Sequence, residues 1–115
     1  MDKIPFVERK FDLNGGVLAV RFHAPIKMPD GEFRCCWSIA WPEQEVCRYA
    51  CGEDGVQALL LAMRVAHSEL VESDAYKAGH LTLWGQTDLG LPPTWGTEPL
   101  HDVSSPNGGA SPGAA

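Results

Sequence analysis

Long hydrophobic runs are missing from this chain. The longest, Ala58 to Met63, falls far short of the ~20 apolar residues that a membrane-spanning helix needs. Residues 1 to 24 alternate apolar and charged positions and lack the continuous apolar stretch of a secretory signal, so the expected location is cytoplasmic, with no membrane contact. Positive charge is scarce as well: Lys and Arg total 9 against 15 Asp and Glu, a formal charge of −6. Nucleic-acid binders draw affinity from neutralising phosphates with Lys and Arg, so nucleic acid is not an expected partner and a basic or neutral one fits better.

Catalytic and metal-ligating spacings are also absent. Cys47 and Cys51 stand four apart in a predicted strand, which puts their Cα atoms ~13 Å apart, too far for thiolates on one zinc. The neighbours Cys35 and Cys36 point to opposite sides of another strand. Neither a metal nor a cofactor is expected, and a chain of 115 residues can bury one core without staples. If a short turn pairs Trp41 with Glu45, Cys35 faces Cys51 across the strands, and a redox pair is the alternative to buried, inert thiols. His23, His80 and His101 have no neighbours at an acid–base or ligand spacing. His67 lies amid apolar helical positions, where a histidine commonly bonds a backbone carbonyl or packs at the helix edge. No catalytic residue is assigned and no enzyme is expected; a minor activity relying on Cys36 or a histidine is the enzymatic alternative.

What the chain does contain is one long amphipathic segment, Asp54 to Ser73. At about 100° per residue, Val56, Leu59, Leu60, Met63, Ala66, Leu70 and Val71 share a face, with Gln57, Arg64, Ser68, Glu69 and Glu72 opposite. Asp54 and Gln57 have capping-box spacing. Ahead of the helix, residues 6–13 and 17–24 read as a hairpin around Asn14-Gly15-Gly16. With Gly15 and Gly16 as the turn, Phe11 faces Val20 and Leu13 faces Leu18. The apolar side then holds Val7, Phe11, Leu13, Leu18, Val20 and Phe22, a pattern that Arg9 breaks. Residues 33–41 alternate Phe33, Cys35, Trp37, Ile39 and Trp41 against Arg34, Cys36, Ser38 and Ala40. A fourth strand over 45–51 is expected to bury Cys47, Tyr49 and Cys51, and a short fifth covers 81–84.

The fold class expected is therefore α+β: a four-stranded antiparallel meander with the helix on its apolar face. Residues 1–93 form the domain, and 94–115 a flexible Pro/Gly/Ser/Ala-rich tail. Trp95 and Leu100 could pin the start of that tail against Leu61 and Val65. This pairing gathers Lys10, Arg21, Arg34 and Arg48 on the wet side of the sheet, a face for an anionic ligand or an acidic segment. Glu43, Glu45, Glu53 and Asp54 form an acidic cluster suited to a basic partner.

The runs Gly52 to Ala62, Leu81-Thr82-Leu83-Trp84 and Asp88-Leu89-Gly90-Leu91-Pro92 resemble an uncharacterised bacterial family, a domain of unknown function, over residues 6 to 93. The resemblance implies a small antiparallel sheet followed by one helix, in a bacterial cytoplasm, with no activity, cofactor or catalytic residue attached. The function expected is a non-enzymatic protein-binding module, in its sharpest form an immunity-like inhibitor; the alternative is a small-molecule or anion-binding protein using the basic sheet face.

Overall fold

Period-two alternation builds β1 (Val7–Leu13) and β2 (Gly16–Phe22), and a two-residue turn joins them. Asn14 and Gly15 both take positive φ, 52° and 81°, as that turn requires, and Asn-Gly is the pair that adopts it most readily. The turn thus sits one residue earlier than expected: Phe11 pairs with Leu18 and Leu13 with Gly16. The expected apolar side survives because the pairing slips by an even number of positions. The computed structural model describes residues 5–92, so the expected tail over 94–115 and its docking through Trp95 and Leu100 lie outside the described residues.

The sheet is antiparallel throughout. One edge of β4 (Phe33–Ala40) pairs along its length with β5 (Glu45–Gly52), and its other edge meets β2 and then the two-residue β3 (Ile26–Lys27). Phe22 pairs with Trp37 but Ile26 with Arg34, so the chain bulges by one residue between His23 and Pro25. Beyond β2 lies β1, and β6 (Leu81–Thr82) closes against the end of β1. Helix α1 (Gly55–Val71) crosses one face, and a single turn, α2 (Asp74–Lys77), follows it. Gln57 donates its backbone N–H to Asp54 Oδ1 at 2.8 Å, and its side chain accepts from the N–H of Glu53 at 2.7 Å, so both expected capping residues act.

The β4–β5 register departs from expectation, and the consequence is large. Ala40, not Trp41, pairs with Glu45, because the link is a four-residue loop around Pro42. An odd slip exchanges the two sides of β5. Val46, Arg48, Ala50 and Gly52 face the helix, while Cys47, Tyr49 and Cys51 face away from it, Tyr49 being 55 % exposed. Cys35 pairs with Ala50 and Cys51 with Arg34, so these two thiols lie on opposite sides and the alternative of a redox pair is ruled out by register.

The helix is also turned from its expected orientation. Ala58, Ala62, Ala66 and Leu70, each four residues on from the last, are fully buried, whereas Val56 is 67 % exposed. Leu59, Met63 and Val71 pack along the flank of the core. The reason is distance: the methyl groups of Ala58, Ala62 and Ala66 let the helix backbone lie close over the sheet, which Leu at those three positions would prevent. Gly52 completes the fit, since a Cβ there would stand 2.6 Å from the backbone nitrogen of Ala58.

Arg9, the residue that breaks the alternation of β1, clasps the segment that follows β6. It shares the helix side with Phe11, and its Nη1 donates to the carbonyls of Leu89 at 3.3 Å and Gly90 at 2.9 Å. Gly90 takes φ 68°, and a Cβ there would come within 2.9 Å of that nitrogen. Leu89 and Leu91 are thereby held in the core beside Leu81 and Leu83.

Two outcomes follow for stability. Gly52→Ala forces the helix start off the sheet and should cost about 1–3 kcal/mol in denaturant unfolding. Arg9→Met leaves two carbonyls without their donor and should cost about 1–3 kcal/mol, with faster amide exchange over Leu81–Leu91 than elsewhere in the sheet.

Candidate functional site

The basic face expected for an anion assembles only in part: Arg21 and Arg48 both border a cleft of about 680 Å³ beside β4 and β5, and Lys10 and Arg34 do not line it. Lys10, Arg21 and Arg34 lie on the side of the sheet away from the helix, but Arg48 lies on the helix side. Arg48 bridges to Glu69 of α1 with two hydrogen bonds, at 3.0 and 3.2 Å, and that contact raises its pKa above the ordinary arginine value. Arg21 is committed to Glu8 at 2.7 Å. Arg34 stacks over the Tyr49 ring, its guanidinium carbon 4.1 Å from the centroid, and its buried Nε has no hydrogen-bond partner among the described residues.

The expected acidic cluster also divides. Glu45 begins β5, and Glu53 and Asp54 follow its end, roughly 24 Å away along an eight-residue strand. Glu43 instead meets residues that come from the end of the helix. Where the β4–β5 loop passes α1 and α2, two adjoining grooves of about 520 and 360 Å³ share Trp41 and Ser73. The larger is lined by Val65, Glu69 and Glu72, the smaller by Leu13, Glu43 and Asp74. Trp41 is half-buried and rests on the core, so its ring offers a fixed apolar floor.

The rim of this groove is acidic. Glu69 is engaged by Arg48, and Glu72 lies 3.7 Å from Lys77 with both side chains largely in solvent, which weakens the pair. Glu43 and Asp74 have no ion-pair partner among the described residues. Ser73 has no hydroxyl to spare: its Oγ donates to Leu70 O at 2.6 Å and accepts from the Tyr76 N–H at 3.2 Å, capping α2. A half-buried indole beneath excess carboxylates can take an alkylammonium or guanidinium group, which gains from the ring face and from the surrounding charge together. Sequence reading placed Trp41 as one more core position and missed this site; the Trp-Pro step after β4 was the only local mark.

The thiols and the buried histidine occupy separate places. Cys35 is fully buried, donates to His23 O at 3.2 Å, and has its pKa pushed up to about 11 by burial and then by Cys36, so it is held as a neutral thiol. Among the described residues no group of three or more His, Cys, Asp and Glu is placed to hold a metal ion. His23 lies at the bulge and His80 at the surface beyond α2, and His101 is outside the described residues. Trp84, 77 % exposed, sits at a turn with φ 51°, its ring 5.8 Å from the Arg9 guanidinium.

His67 is buried on the helix, and burial lowers its pKa from the usual 6.5 while Asp88 pulls the other way. The unfolded chain therefore takes up the proton first as pH falls. The contribution of His67 to stability should be constant above about pH 6.5 and decline below it, and His67→Gln should flatten that part of the curve, as read by denaturant midpoints between pH 5 and 8.

No curated protein and no solved structure matches the chain. A family match covers residues 7–93, the sheet, both helices and the clasped segment, and the chain belongs to the family described as a domain of unknown function, DUF6968.

Proposed function

We propose that this domain is a non-enzymatic protein-binding module that receives a Lys- or Arg-bearing segment of its partner in the groove over Trp41. The observation that carries this reading is the groove itself, an aromatic floor under four carboxylates of which two have no ion-pair partner among the described residues. The overall charge of −6 supports it by attracting a basic partner at long range. In its most specific form the module is an immunity-like inhibitor in a bacterial cytoplasm, covering a basic surface of the protein it neutralises. Anion binding on the opposite sheet face has less in its favour, since Arg21 is held by Glu8, Arg48 by Glu69, and Arg34 is stacked on Tyr49.

The test is titration with a Lys/Arg-rich peptide, followed at the Trp41 indole N–H by NMR. Trp41→Ala should weaken binding about tenfold or more, the scale of a desolvated cation–π contact. Glu43→Lys with Asp74→Lys should weaken it at least as far, and raising salt should weaken it in the wild type. Binding that is indifferent to all three changes overturns the reading.

A further inference from the structure

Among the described residues, the long edge of the sheet is left open. Edges invite pairing, and proteins usually shorten them, interrupt them with proline or bulges, or cover them. Here β3 and β6 are two residues each, and Pro25 and Pro29 flank β3. β5 has none of these devices: it runs eight residues in one unbroken register with β4, and among the described residues nothing pairs with its outer side.

The direction of its free backbone groups follows from one hydrogen bond. His23 donates to Cys36 O at 2.9 Å, so Cys36 points its backbone groups away from β5, and by alternation Cys35 and Trp37 point theirs toward it. Their partners Ala50 and Arg48, with Val46, therefore bond inward, and Glu45, Cys47, Tyr49 and Cys51 present N–H and C=O groups outward. Above this edge stands the flank of α1. Glu69 reaches Arg48, and Val65 and Leu61 are the preceding residues at four-residue spacing on the same helix side. Val65 is exposed and Leu61 half-buried, so edge and flank form a corner with an apolar wall.

We propose that an extended, basic segment of a protein partner adds to β5 as a further strand, its inward apolar side chains against Leu61 and Val65. This rests on the reading that the Trp41 groove takes a basic segment, and it specifies how that segment lies. Charge selects the occupant. Carboxylates bracket the edge, Glu43 and Glu45 at its start and Glu53 and Asp54 beyond its end. A second copy pairing antiparallel in the two-fold register centred on Tyr49 would set Glu45 against Glu53, whereas a foreign strand with Lys or Arg near its ends meets opposite charge at both.

The test uses a capped eight-residue peptide of alternating lysine and valine, with backbone amide exchange of the full chain read by NMR. Binding should slow exchange at Glu45, Cys47, Tyr49 and Cys51 by roughly tenfold or more, while Val46, Arg48 and Ala50 are slow already. Cys47→Pro removes one outward N–H without touching the β4 ladder and should reduce affinity about tenfold. If that variant does not fold, the same peptide N-methylated at alternate residues should show the same loss on the wild type. Peptide that shifts the Trp41 indole but leaves the outward amides unprotected overturns strand addition and leaves the groove reading standing. Peptide that protects the outward amides without moving the Trp41 indole supports strand addition and overturns the groove. No binding overturns both.

Discussion

The close approach of helix to sheet governs this fold. Three alanine methyls and one missing Cβ, at Ala58, Ala62, Ala66 and Gly52, set the distance at which α1 crosses β4 and β5. Most larger side chains before Leu70 are displaced to the margins: Leu59 and Met63 wedge along the flank, and Val65 is left facing solvent. Once that spacing is set, Arg48 can reach Glu69 over the edge of the sheet, and the end of the helix comes down beside Trp41. The surfaces open to a partner are thus by-products of how tightly the centre is packed.

Much of the architecture could be read from residue order, and the failures have specific causes. Asp54 and Gln57 announced the helix because capping is local chemistry, and alternation over Val7–Leu13 and Phe33–Ala40 announced strands and their inward sides. For the helix, hydrophobicity favoured leucines for the interior, but close packing on a sheet rewards small volume, so the alanines took the centre. β5 carried apolar residues on both of its alternations, Cys47, Tyr49 and Cys51 against Val46 and Ala50, and nothing in the strand itself could choose between them. The choice was made by the length of the Pro42 loop and by the need for Gly52 under Ala58, both of which act between elements. The groove was illegible for the same reason, since its walls come from residues 13–14, 41–43 and 65–75.

Charge in this molecule is placed asymmetrically. On the side away from the helix, two of the three cations named above are engaged within the sheet, Arg21 on Glu8 and Arg34 on Tyr49. Around Trp41, carboxylates outnumber their partners, which fits a surface that takes cations from elsewhere. Unpaired like charges near one another disfavour the isolated state slightly and are relieved when a cation arrives, so part of any affinity at this groove would come from lifting repulsion already present.

The clasp between Arg9 and the carbonyls of Leu89 and Gly90 joins residues eighty positions apart. On a ribosome the first hairpin emerges long before its fastening is made, so Phe11 and Leu18 must wait for Leu81, Leu83, Leu89 and Leu91 to close that side of the interior. A domain built this way closes its first strands with residues synthesised some eighty positions later, and those strands depend on them for shelter.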